Sequence, residues 1–182
     1  AAGLNKLLDQ YEQFRLYVDD AHGMGWKGKN GTGYALDNMP YHPHMFLATS
    51  LGKGYGAGGG VLVCPNKEIR EKILYVGSTL VFTSPPEPST LGAIIKSAQI
   101  HKSKEIYQLQ DKLNSNLEYF YNLAEKFELP VIDKSRTPIA FIAGGNPEMV
   151  TKICRRMLDN SYHITPGVYP ATPYNNGGVR VV

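Results

Sequence analysis

The chain has 182 residues, 42% hydrophobic and 19% charged, with a formal net charge of +3. That suits one domain or one and a half with a real core. The charge is too small and too dispersed for nucleic acid, and no apolar run reaches the length of a membrane span. Cys64 and Cys154 lie far apart in apolar surroundings. They give no metal spacing and no disulfide framework, so no metal is expected, and they read as buried free thiols in a reducing, cytoplasmic setting. No signal-peptide pattern is read. The chain opens directly on a helical stripe and stops on a strand, which reads as a piece of a larger protein.

Residues 2–13 carry apolar side chains at helical spacing, from Leu4 and Leu7 to Tyr11. Arg15-Leu16-Tyr17-Val18 is a short apolar strand ending in Asp19-Asp20-Ala21-His22-Gly23. Acidic residues and a histidine at a strand end sit where open α/β sheets place ligand groups. Gly23 to Gly33 and Tyr41 to His44 read as loops. Phe46-Leu47-Ala48 is a strand, and Val61 to Cys64 another. Between them lies Ser50-Leu51-Gly52-Lys53-Gly54-Tyr55-Gly56-Ala57-Gly58-Gly59-Gly60, a glycine-rich bend holding one lysine.

Asn66 is expected to cap a helix to about Tyr75, with Ile69, Ile73 and Leu74 facing inwards. Thr83-Ser84-Pro85-Pro86-Glu87-Pro88 is a rigid turn, after which Ser89 or Thr90 caps a helix to His101. A long amphipathic helix covers about Lys104 to Phe127, with Ile106, Leu109, Leu113, Leu117, Phe120, Leu123, Ala124 and Phe127 apolar. Then come strands at Val131-Ile132 and Pro138 to Ala143 and a helix capped by Asn146 to about Leu158. Turns follow at Thr165-Pro166-Gly167 and Pro170 to Pro173, and a final strand at Val179-Arg180-Val181. The expected organisation is a large α/β portion over 1–103, a connecting helix over 104–130 and a small α+β portion over 131–182.

Three readings compete for Lys53. It can be a solvated loop lysine, the commonest fate of a lysine. It can be a P-loop lysine, but the required glycine and Ser/Thr are replaced by Leu47 and Gly54, so that pattern fails. It can be a Schiff-base lysine, whose amine attacks a carbonyl. Pyridoxal phosphate chemistry then needs a carboxylate for the ring nitrogen, a donor to the ring hydroxyl, phosphate ligands and a cation for the substrate carboxylate. Asp19, His22, the hydroxyls of Ser50, Thr83 and Ser84, and Arg180 supply those types. Each alone has a plainer role. Asp19 or Asp20 can cap a turn, His22 can be a loop histidine, Thr83 and Ser84 can be turn residues, and Arg180 can face solvent.

The Asp19-Asp20-Ala21-His22-Gly23 block, the run to Gly31-Thr32-Gly33, and Ser50 to Gly60 together resemble the α-oxoamine synthases. So do Thr83-Ser84-Pro85-Pro86 and the segment Pro170 to Val181. These are pyridoxal-phosphate enzymes of the class II aminotransferase-like group, roughly twice this length. The resemblance implies part of a fold-type I transferase large domain plus a small α+β domain. It implies Lys53 as the Schiff-base lysine that later moves the substrate α-proton, Asp19 on the pyridine nitrogen and His22 on the ring hydroxyl. It aligns Ser50 near the cofactor, Thr83 and Ser84 on the phosphate of a neighbouring subunit's cofactor, and Arg180 on the amino-acid carboxylate. It further implies a homodimer and a decarboxylating condensation of a small amino acid with an acyl thioester such as acyl-CoA. Transamination or lyase chemistry on the same fold is the alternative; an inert fragment or assembly subunit is the alternative of another class. Asp20 stands where many members have Glu, and the Thr83 segment is about one residue short.

Overall fold

The computed structural model describes residues 2–133 and 135–182. The chain forms two compact units, Ala1–Asp111 and Lys112–Val182. The division falls inside one long helix, within the connecting stretch 104–130.

In the first unit, α1 (Ala2–Gln10) ends earlier than its stripe suggests. Tyr11 to Phe14 turns away from the helix, the Phe14 amide donating to the Tyr11 carbonyl. Three strands follow, β1 (Leu16–Asp19), β2 (Met45–Ser50) and β3 (Gly60–Val63), in that order across one sheet. β1 and β2 are parallel, with Leu16 to Asp19 beside Met45 to Ala48. Parallel strands in register deliver their C-terminal ends to one edge of the sheet. The turn after Asp19 and the bend after Ser50 therefore leave from the same edge.

β2 alternates as a strand with one buried face should, with Met45, Leu47 and Thr49 buried. β3 pairs antiparallel with β2, and its apolar run is exposed throughout. The stretch between β1 and β2 is more ordered than a loop. It contains a 3-10 turn, Lys29–Gly31, and α2 (Tyr34–Asn38).

α3 (Lys67–Val76) starts as expected, the Asn66 side chain accepting from the Ile69 amide at 2.9 Å. None of its residues is buried, and Leu74 is exposed rather than turned inwards. α4 (Ser78–Val81) is one turn. α5 (Pro88–His101) is not capped by Ser89 or Thr90: Glu87 stands at the cap and Pro88 opens the helix, where its fixed φ fits and no amide is missed. α6 (Glu105–Lys126) follows; Ile106, Tyr121 and Ala124 are buried on it, while Leu109 and Phe127 are exposed.

The second unit is an antiparallel sheet with a helix. β4 (Ala140–Gly145), α7 (Pro147–Asp159), β5 (Thr165–Gly167) and β6 (Gly177–Val181) give the strand order β4-β6-β5. α7 opens on the predicted Asn146 cap with Pro147 in its first turn, and it buries Val150 against the sheet. Val131-Ile132 forms only an isolated bridge, Val131 to Ile142. Thr165-Pro166-Gly167 is an edge strand rather than a turn, a place where proline costs no ladder bond. Cys64 and Cys154 are free, but partly exposed rather than buried. Among the described residues, no three His, Cys, Asp or Glu side chains could hold a metal ion. No described helix is long and apolar enough to cross a membrane.

Candidate active site

The two loops at the shared sheet edge bring Lys53 and His22 together. Lys53 Nζ lies 2.9 Å from His22 Nε2, and both side chains are exposed. At that distance one of the two donates. An ammonium donates to a neutral ring, or a ring N–H donates to a neutral amine. The two loops thus place an amine and an imidazole nitrogen within hydrogen-bond distance.

Asp19 ends β1 on the same edge, beside Ala48 in register. Its Oδ1 accepts from the Ala21 amide at 3.0 Å, the local turn bond of an Asx turn. Oδ2 has no hydrogen-bond partner among the described residues. The His22 carbonyl accepts from the Trp26 indole N–H at 2.7 Å, which fixes the turn behind the imidazole.

Asp20 has a different task. It is buried, and its Oδ2 accepts from the Ala35 amide at 2.9 Å. The backbone amides of Tyr34 and Gly23 also lie where they favour its charged form, and the Gly23 amide donates to the Asp20 backbone carbonyl at 3.1 Å. Asp20 thus caps α2, whose own cap residue Gly33 offers no side chain. Burial pushes its carboxyl above the usual range, the backbone donors pull it back, and the neighbouring Asp19 charge adds to the rise. Gly33 has φ +104, and a Cβ there, or on Gly23, would strike this carboxylate. The two glycines are required by the packing around Asp20.

The glycine bend is also held from within. Gly56 N–H donates to the Lys53 carbonyl, Ala57 N–H to Leu51, and Leu51 N–H to Gly59. The Ser50 hydroxyl accepts from the Gly52 amide at 3.2 Å, so Ser50 shapes the approach to Lys53. The backbones of the two loops touch. A Cβ on Gly25 would meet the Gly54 carbonyl, and one on Gly54 would meet the Met24 carbonyl.

Of the other expected site residues, Thr83 spends its hydroxyl on the Leu80 carbonyl at 2.9 Å, and Ser84 is exposed in the proline-rich segment. Arg180 belongs to the second unit, an exposed residue of β6 between Phe141 and Thr165 in register. Sequence reasoning missed Ser97 and His101, buried polar residues of α5 four positions apart on one face. It also missed Tyr107 and Gln110, which bond the loop at Asn30, Gly25 and Gly28. The available signal was polar residues recurring at helical spacing among apolar ones.

Comparison with known proteins bears on the family and the fold. A family model described as aminotransferase class I and II matches residues 1–182. The 8-amino-7-oxononanoate synthase of Alkaliphilus metalliredigens is 29% identical over 165 residues, covering 90% of this chain and 40% of that protein. That of Saccharophagus degradans is 28% identical over 189 residues, covering 100% of this chain and 45% of that protein. Among solved structures, the 8-amino-7-oxononanoate synthase of Francisella tularensis superposes with a TM-score of 0.76 at 24% identity, over 98% of this chain and 51% of that one. A serine palmitoyltransferase from S. paucimobilis, with bound PLP-myriocin aldimine, gives 0.84 at 19% identity, over 96% and 43%. The likeness to both structures establishes the fold. The chain spans less than half the length of the curated relatives it matches.

Proposed function

The chain belongs to the aminotransferase class I and II family, and from that premise we propose that the whole protein is a pyridoxal-phosphate-dependent transferase. It condenses a small amino acid with an acyl thioester such as acyl-CoA, with loss of CO₂. The observation that carries the reading is the 2.9 Å approach of Lys53 Nζ to His22 Nε2 at the sheet edge where Asp19 also ends.

The residues fit the cofactor. Asp19 has an oxygen free to accept, His22 has a ring nitrogen in reach of the amine, and the glycine bend leaves the amine exposed. When bound, pyridoxal phosphate supplies an electron-withdrawing ring that makes the substrate Cα acidic. Asp19 would hold a proton on the ring nitrogen, and His22, beside Lys53, would donate to the ring hydroxyl. Lys53 Nζ anchors the group and moves the proton at the substrate Cα. Ser50 sets the path of the backbone into the bend.

Thr83 and Ser84 face the cofactor phosphate of a second subunit in a homodimer. Arg180 pairs with the amino-acid carboxylate, as a guanidinium does with two parallel bonds. The first portion, 1–103, is the part of the large domain that holds Lys53. Residues 104–130 connect it to the small α+β portion, 131–182. The protein works in the cytoplasm. The names of the relatives, 8-amino-7-oxononanoate synthase and serine palmitoyltransferase, support condensation over plain amino transfer.

Product analysis on the whole protein tests this. Glycine, alanine or serine is supplied with acyl-CoA, and CO₂ and free thiol are measured. Both should appear in equal amounts. A keto acid formed without thiol would replace condensation by transamination, and no product from any pair would contradict the enzymatic reading.

A further inference from the structure

Lys53 and His22 are exposed, yet the backbone behind them is gripped by one helix. Ser97 and His101 on α5 are 9% and 8% exposed, and they share a helix face. Ser97 Oγ donates to the Tyr55 carbonyl at 2.5 Å. The Tyr55 hydroxyl donates to the Ile94 carbonyl of the same helix at 3.2 Å. Tyr55 lies two residues after Lys53, and its ring packs against the His101 ring at 4.7 Å.

His101 then reaches the other loop. Its Nδ1 is 2.9 Å from the Asn30 carbonyl, and since a carbonyl only accepts, Nδ1 carries the hydrogen. Asn30 sits in the left-handed region at φ 56, and a Cβ on the next residue, Gly31, would strike the imidazole. One face of α5 thus holds the segment after Lys53 and the segment after His22. Burying a hydroxyl and an imidazole costs free energy unless each finds a partner. Here both partners are loop carbonyls rather than the helix's own.

We propose that Ser97 and His101 are positioning residues that set the distance between Lys53 and His22. Glycine-rich backbone has many conformations open to it. Two hydrogen bonds from one rigid helix select the pair in which the loops meet at Gly25 and Gly54. Neither residue touches the reacting atoms; each acts through the loop it holds. The inference rests on the reading of Lys53 as the cofactor-anchoring amine.

The test uses the whole protein with Ser97→Ala, His101→Ala and His101→Asn, the last of which returns a donor near the Nδ1 position. Two readouts are taken on folded protein. The first, without cofactor, is the rate at which trinitrobenzenesulfonate labels Lys53, followed by peptide mapping. The second, with cofactor, is kcat and KM for the amino acid. Ser97→Ala and His101→Ala should each change the labelling rate about threefold or more and lower kcat about tenfold, with KM within about twofold. His101→Asn should restore most of both. Lowered thermal midpoints with wild-type labelling and wild-type kcat per folded molecule would overturn the proposal and leave the residues a purely stabilising role. If the alanine variants do not fold, Ser97→Cys decides: it keeps the side chain's place and weakens the donor to the Tyr55 carbonyl, and it must shift the labelling rate or the proposal fails. The labelling comparison needs no cofactor, so it stands apart from a failure of the cofactor reading, which would show as no pyridoxyl group on Lys53 of the wild type.

Discussion

Two stretches of the first unit expose their chemistry in opposite ways. At the sheet edge, Asp19, His22 and Lys53 are exposed side chains on a pinned backbone. Asp20 caps α2 beneath them, and α5 holds both loops. In the stretch from Leu74 to Pro88, it is the apolar side chains that are exposed. Tyr75, Val76 and Phe82 are 82%, 79% and 95% exposed, and the Thr83 hydroxyl bonds only its own turn. The first stretch makes its geometry from its own residues. The second offers a surface, which fits the proposed role of Thr83 and Ser84 toward a second subunit.

The comparison can be broken most forcefully at Gly33. Gly33→Ala places a Cβ at φ +104 against the Asp20 carboxylate. Strain and collision together should cost about 3 kcal/mol or more, measured by denaturant unfolding. A loss under about 1 kcal/mol would mean that this loop is not pinned as described.

Asp20→Asn is the next largest effect. It keeps one acceptor and loses the second, and should cost about 1–2 kcal/mol near neutral pH. The pH dependence has a definite sign. The folded Asp20 carboxyl lies above its ordinary value, chiefly through burial. Its contribution is therefore fully present below the unfolded value and is lost as pH rises through the folded one. The advantage of wild type over Asp20→Asn should widen as pH falls from neutral into that range. A gap that narrows there would contradict the burial argument.

The smallest effect sharpens the other side. Phe82→Ser should change the stability of the isolated fold by no more than about 0.5 kcal/mol, because the ring is almost fully exposed. The same substitution should weaken self-association in sedimentation. Unchanged association would remove this surface from the proposed dimer.

Much of the site could be read from the chain alone. Asp19 and His22 follow an apolar strand, and Lys53 stands in a glycine bend after a second one. Those are local signals, and parallel pairing of β1 and β2 turns them into neighbours. What could not be read was non-local. Asp20 caps a helix that begins fourteen residues later, so no short window shows it. On α5 the apolar Leu91 and Ile95 are exposed while the polar Ser97 and His101 are buried. The loop carbonyls that need their donors belong to other segments. The apolar runs of β3 and α3 reported which residues are apolar, not what covers them.

The central claim is that Lys53 is the amine that holds the cofactor. Borohydride reduction of the whole protein with pyridoxal phosphate, followed by peptide mapping, tests it most directly. The account predicts one stable pyridoxyl group, on Lys53, lost in Lys53→Ala. A pyridoxyl group on another lysine, or none on the folded wild type, would contradict it.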